Sequence, residues 1–77
     1  MIRRRKENMP IYLADPNRPY EIVKITGTDK VKAHLNNLGF TVGETVMLVN
    51  QLDENIIVKI KGISLALSKE LAKRILV

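Results

Sequence analysis

The side chains that could do chemistry are few, and their spacing does not gather them. His34 is the sole histidine, Ser64 and Ser68 are the two serines, and there is no cysteine. Nucleophilic or acid–base catalysis needs a base held beside a nucleophile. Ser68 stands before Lys69-Glu70-Leu71 and reads as a helix N-cap, while His34 sits at the edge of a helical apolar stripe. No catalytic set follows from that. A zinc site takes four N, S or O donors, and thiolate is excluded. Asp53-Glu54 are neighbours in a turn, where solvated charges are usual, and Asp15, Asp29 and His34 have no ligand spacing. Gly27, Gly39, Gly43 and Gly62 match neither G-x-G-x-x-G nor the P-loop pattern. Catalytic, metal and cofactor residues are therefore all assigned as none, and an enzyme is the class with least support.

The elements that position these residues turn on one stretch, Leu35-Asn36-Asn37-Leu38-Gly39-Phe40-Thr41-Val42-Gly43. Val31, Leu35 and Leu38 fall at i, i+4 and i+7, one face of a helix from about Asp29 to Leu38. Thr28 is its expected N-cap, with Asp29 in the first turn where a carboxylate suits the dipole. Gly39 stands where the helix must stop in a left-handed conformation, and Phe40 and Leu35 make the apolar pair of a Schellman cap. Gly43 suits the third place of a type II turn over Thr41 to Glu44. The chain then enters a strand at Glu44 to Val49. Helix, left-handed stop, turn and strand make a corner.

Around it, Ile11 to Leu13 is expected to pack across the fold, and Asp15 to Pro19 to be a loop. Tyr20 to Thr26 has the β-branched content of a strand. Val46 to Leu52 and Ile56 to Lys61 flank Asp53-Glu54-Asn55, so a hairpin is expected. Ile56, Val58 and Ile60 supply its inner face. Gly62 breaks the run, Ile63 to Leu67 forms another strand, and Leu67, Leu71 and Ile75 step by four along a closing helix. The order β-α-β-β-β-α predicts a mainly β domain with short helices, folded as a small, partly open barrel.

Composition narrows the function classes. At 77 residues and 45% hydrophobic content the chain is one domain with an aliphatic core, since Tyr12, Tyr20 and Phe40 are its aromatics. The net charge of +5 is concentrated in Arg3, Arg4, Arg5 and Lys6. From residue 8 onward nine basic face seven acidic side chains. Residues 1–8 read as a flexible basic leader, either simply solvated or an electrostatic arm. No apolar run approaches the ~20 residues needed to span a bilayer. With no signal-like segment and no cysteine, the expectation is a soluble protein in a reducing cytoplasm. Scattered aromatics make nucleic-acid binding unexpected. The strand Val46-Met47-Leu48-Val49 is apolar on both faces, which fits either a strand covered on both sides or one presenting a patch to a partner.

The chain resembles the FeoA family, small cytosolic bacterial proteins of ferrous-iron transport. The resemblance is carried by Leu35-x-x-Leu38-Gly39-Phe40-x-x-Gly43, then Val46-x-Leu48-Val49, Val58-x-Ile60-Lys61-Gly62 and Leu65-Ala66-Leu67, across residues 9–77. It departs at Val42, where the family often has proline, so the turn is less pre-set in φ. What the resemblance implies is an SH3-like barrel acting without catalysis or cofactor in iron homeostasis, with transition-metal binding a family-level association. The implied partner is the cytosolic region of the FeoB membrane transporter, with no membrane insertion by the chain itself and self-association left open. Gly39, Phe40, Gly43 and Gly62 would be structural, and Asn36, Asn37, Thr41, Met47 and Val49 would meet the partner. Two competing readings are a nucleic-acid-binding barrel using Arg3 to Lys6 with Lys59, Lys61, Lys69 and Lys73, and a weak ferrous-ion binder. An SH3-like domain also ends some iron-dependent repressors, which adds a metal-responsive regulatory module as a neighbour.

Overall fold

The computed structural model describes residues 8–77, and the cluster Arg3 to Lys6 lies outside the described residues. A 3-10 turn, Ile11–Leu13, opens the fold and buries Ile11. The strands are β1 (Pro19–Glu21), β2 (Lys24–Ile25), β3 (Thr45–Leu52), β4 (Asn55–Ile60), β5 (Ile63–Ser68) and β6 (Ile75–Leu76), with helices α1 (Asp29–Asn37) and α2 (Lys69–Ala72). They form a four-stranded antiparallel sheet in the order β1-β3-β4-β5 and a separate β2-β6 pair. The two sheets do not close into a barrel.

Pleating explains the core. Val46, Leu48, Val58 and Ile60 point to one face, where the register sets Val46 opposite Ile60 and Leu48 opposite Val58. With Ile56 and Leu67 they are buried, and Phe40, Leu35, Ile22, Ile11 and Ile75 pack onto them from the other side. The β3–β4 and β4–β5 turns are tight. The β4–β5 connection is Lys61-Gly62, both at positive φ (52° and 79°), the pattern of a type I′ hairpin turn.

Three features depart from the sequence reading. The segment Tyr20 to Thr26 is not one strand. Its first part joins β3 and its second part joins β6, and Ile22 between them is buried while Val23 is 44% exposed. The closing helix stops at Ala72, and Ile75 lies in a strand opposite Ile25. Backbone pairing over fifty residues of separation outweighed a four-residue apolar step in so short a helix. The third is a β-bulge between Leu48 and Asn50, where Val49 is the extra residue and the strand bends.

Candidate docking site

The corner after α1 is built by its own backbone. Thr28 Oγ1 accepts from the Val31 N–H at 3.2 Å, capping the helix start as the sequence predicts. At the other end the Phe40 N–H donates to the Leu35 carbonyl at 2.9 Å and the Gly39 N–H to the Asn36 carbonyl at 3.0 Å. That pair of bonds is the Schellman motif, with Leu38 as C-cap. Leu35 and Phe40 are both wholly buried. Leu38, expected in the helix's buried stripe, is 38% exposed and lines a groove at the sheet.

The turn that follows also matches. The Glu44 N–H donates to the Thr41 carbonyl at 3.1 Å, and Gly43 has φ +95°, as a type II turn requires. Val42, at the second place of the turn, is solvent-exposed. Two further bonds join the turn to the sheet: Gly43 N–H to the Ile22 carbonyl (2.8 Å) and Ile22 N–H to the Glu44 carbonyl (2.9 Å). Gly39 has φ +106° and, like Gly43, open space where a Cβ would sit. The demand on both residues is conformational and not one of room.

Of the residues expected to meet a partner, Asn36, Asn37 and Thr41 are exposed on this corner, while Met47 and Val49 are half-buried on the strand. They do not share one face. Asn37 and Leu38 line a groove of about 200 Å³ with Ile60, Ile63 and Leu65, on the side of the sheet that α1 approaches. Met47 lies on the opposite face, aligned across the strands with Pro19 and Lys59, in a shallow depression of about 330 Å³ that Glu44 also lines. Lys61 borders both, and its Nζ lies 3.8 Å from Glu44 Oε1. Pairing explains the partial cover of Met47, which the sequence left open, since its cross-strand neighbours lie alongside it. What the sequence did not reveal is the groove beside Ile63, since the strand pattern places Ile63 inward but not where α1 ends.

His34 is exposed on α1, and among the described residues no three His, Asp or Glu side chains come together to hold a metal ion. No described helix is long and apolar enough to cross a membrane. Lys59 lies on the outer sheet face, whereas Lys69 and Lys73 sit at α2, where Lys73 lies 3.8 Å from Glu70.

A family model described as the FeoA domain matches residues 9–77. A crystal structure of an iron uptake regulatory protein, FeoA, is 25% identical, covers 91% of this chain and 95% of that one, and superposes with a TM-score of 0.82. The solution structure of a FeoA-like protein from Clostridium acetobutylicum is 20% identical, with 94% and 86% covered and a TM-score of 0.82. A manganese-dependent transcriptional repressor is 12% identical over 91% of this chain and 40% of its own, with a TM-score of 0.81, a likeness of fold. Among curated proteins none matches in sequence.

Proposed function

This chain belongs to the FeoA domain family, and from that premise we propose that it is a non-enzymatic accessory protein of ferrous-iron transport. The family ties it to that process; the finer reading is that it docks on the cytosolic region of a FeoB-type transporter through the corner and adjoining strand. The observation that carries this reading is the corner itself. Asn36, Asn37 and Thr41 are exposed on a turn held by backbone bonds to Leu35, Asn36 and Ile22, so a partner meets a surface already ordered. Preordering lowers the entropy lost on association. Amide side chains and a hydroxyl on such a frame can donate and accept without a charge to desolvate.

The test is a titration of the isotope-labelled chain with the transporter's soluble GTPase region, followed by amide shifts. The expected result is shifts at Asn36, Asn37 and Thr41. No shift at saturating transporter, or shifts confined to β2 and β6, would sink the reading.

A further inference from the structure

The two edges of the four-stranded sheet are unlike. β1 is three residues long and begins with Pro19, a short, proline-blunted edge of the kind that resists further pairing. β5 is twice as long, pairs with β4 in unbroken register from Ile60↔Ile63 to Asn55↔Ser68, and contains neither charge nor proline. Because Ile60 and Ile63 flank a two-residue turn, they exchange both of their hydrogen bonds. Alternation then aims the backbone of Leu65 and Leu67 at β4 and leaves the N–H and C=O of Ser64 and Ala66 facing outward. Among the described residues no loop or side chain bonds to those groups.

The same edge borders the groove lined by Leu38, Ile60, Ile63 and Leu65, and Ile63 is 58% exposed there. A strand added to β5 would set its alternate side chains over that groove. The charges around it say what kind of strand. Lys61 lines the groove, Lys69 follows β5 at its far end, and the strand itself carries no acidic residue.

We infer that β5 accepts an extended acidic segment of a partner protein as an added strand, through the outward backbone of Ser64 and Ala66, with apolar side chains over Leu38, Ile63 and Leu65. This rests on the docking role proposed above and names the edge and the partner chemistry. Strand addition takes affinity from main-chain bonds and selectivity from alternate side chains.

The probe is a synthetic peptide of about ten residues, alternating valine and threonine between aspartate ends, titrated into the labelled full chain. A lysine-ended peptide is the counterpart. The expected result is slowed exchange of the Ser64 and Ala66 amides, with the aspartate-ended peptide binding about fivefold or more tightly than its counterpart. Paired Lys61→Asp and Lys69→Glu substitutions should invert that preference. Ala66→Pro, which removes an outward donor and keeps the bonds to β4, should abolish binding; should it unfold the sheet, the charge-reversed variant still decides. Unchanged exchange at Ser64 and Ala66 at saturation, equal affinity for the two peptides, or dimerisation through β5 would overturn the inference. Peptide binding without transporter binding would instead retire the transporter reading and keep the edge.

Discussion

Gly43 donates its N–H to the carbonyl of Ile22 at 2.8 Å, and this one bond ties the turn after α1 to the point where the chain leaves one sheet for the other. Ile22 is wholly buried between β1 and β2, so the corner and the sheet junction are held as a unit. Changes at the corner should therefore register in global stability as well as locally.

Gly39→Ala and Gly43→Ala should each cost about 1–2 kcal/mol, the cost of a left-handed conformation for a residue bearing Cβ. Nothing lies where the Cβ would go at either position, so no steric increment is expected. Urea denaturation reads this directly. A loss under ~0.3 kcal/mol at both would show that the cap and turn relax freely, contrary to the conformational cost.

Leu35 and Leu38 separate burial from helical phase. Leu35→Ala should cost about 2–5 kcal/mol, as for a fully buried leucine. Leu38 is 38% exposed, and Leu38→Ala should cost less than ~1.5 kcal/mol, from its partial burial. Thermal unfolding of the two variants should differ by many degrees, since ~1 kcal/mol moves Tm by roughly 4–8 °C in a domain of this size. Equal losses would mean that the cap residue packs as deeply as the helix core.

Thr28→Ala and Ser68→Ala each remove a capping oxygen, from Val31 N–H and Leu71 N–H respectively, both at 3.2 Å. A loss of ~1 kcal/mol is expected at each. The sites lie on separate helices, so the double variant should lose the sum within about 0.5 kcal/mol. Chemical denaturation of the three variants closes the cycle.

The Lys61–Glu44 contact, at 3.8 Å with Lys61 mostly exposed, should matter little to folding. Glu44→Gln is expected to change stability by less than ~1 kcal/mol, and raising salt should erase even that. A larger loss that persisted in high salt would point to packing by the Glu44 stem and not to the charge.

Part of this molecule is settled by nearest neighbours along the chain. The caps at Thr28 and Ser68, the left-handed stop at Gly39, the turn at Gly43 and the inner face of Ile56, Val58 and Ile60 all depend on interactions spanning five residues or fewer, or on strand alternation. Each is where the residue types placed it. The rest follows from long-range packing and pairing. Whether Ile75 extends a helix or pairs with Ile25, where Tyr20 to Thr26 divides between sheets, and how far Leu38 sinks depend on partners tens of residues away. So does the β5 edge, because a strand becomes an edge only when no other segment lies beside it. Hydrogen-bond pairing between distant segments leaves no periodic mark in either, and that is why the corner was legible and the surfaces around it were not.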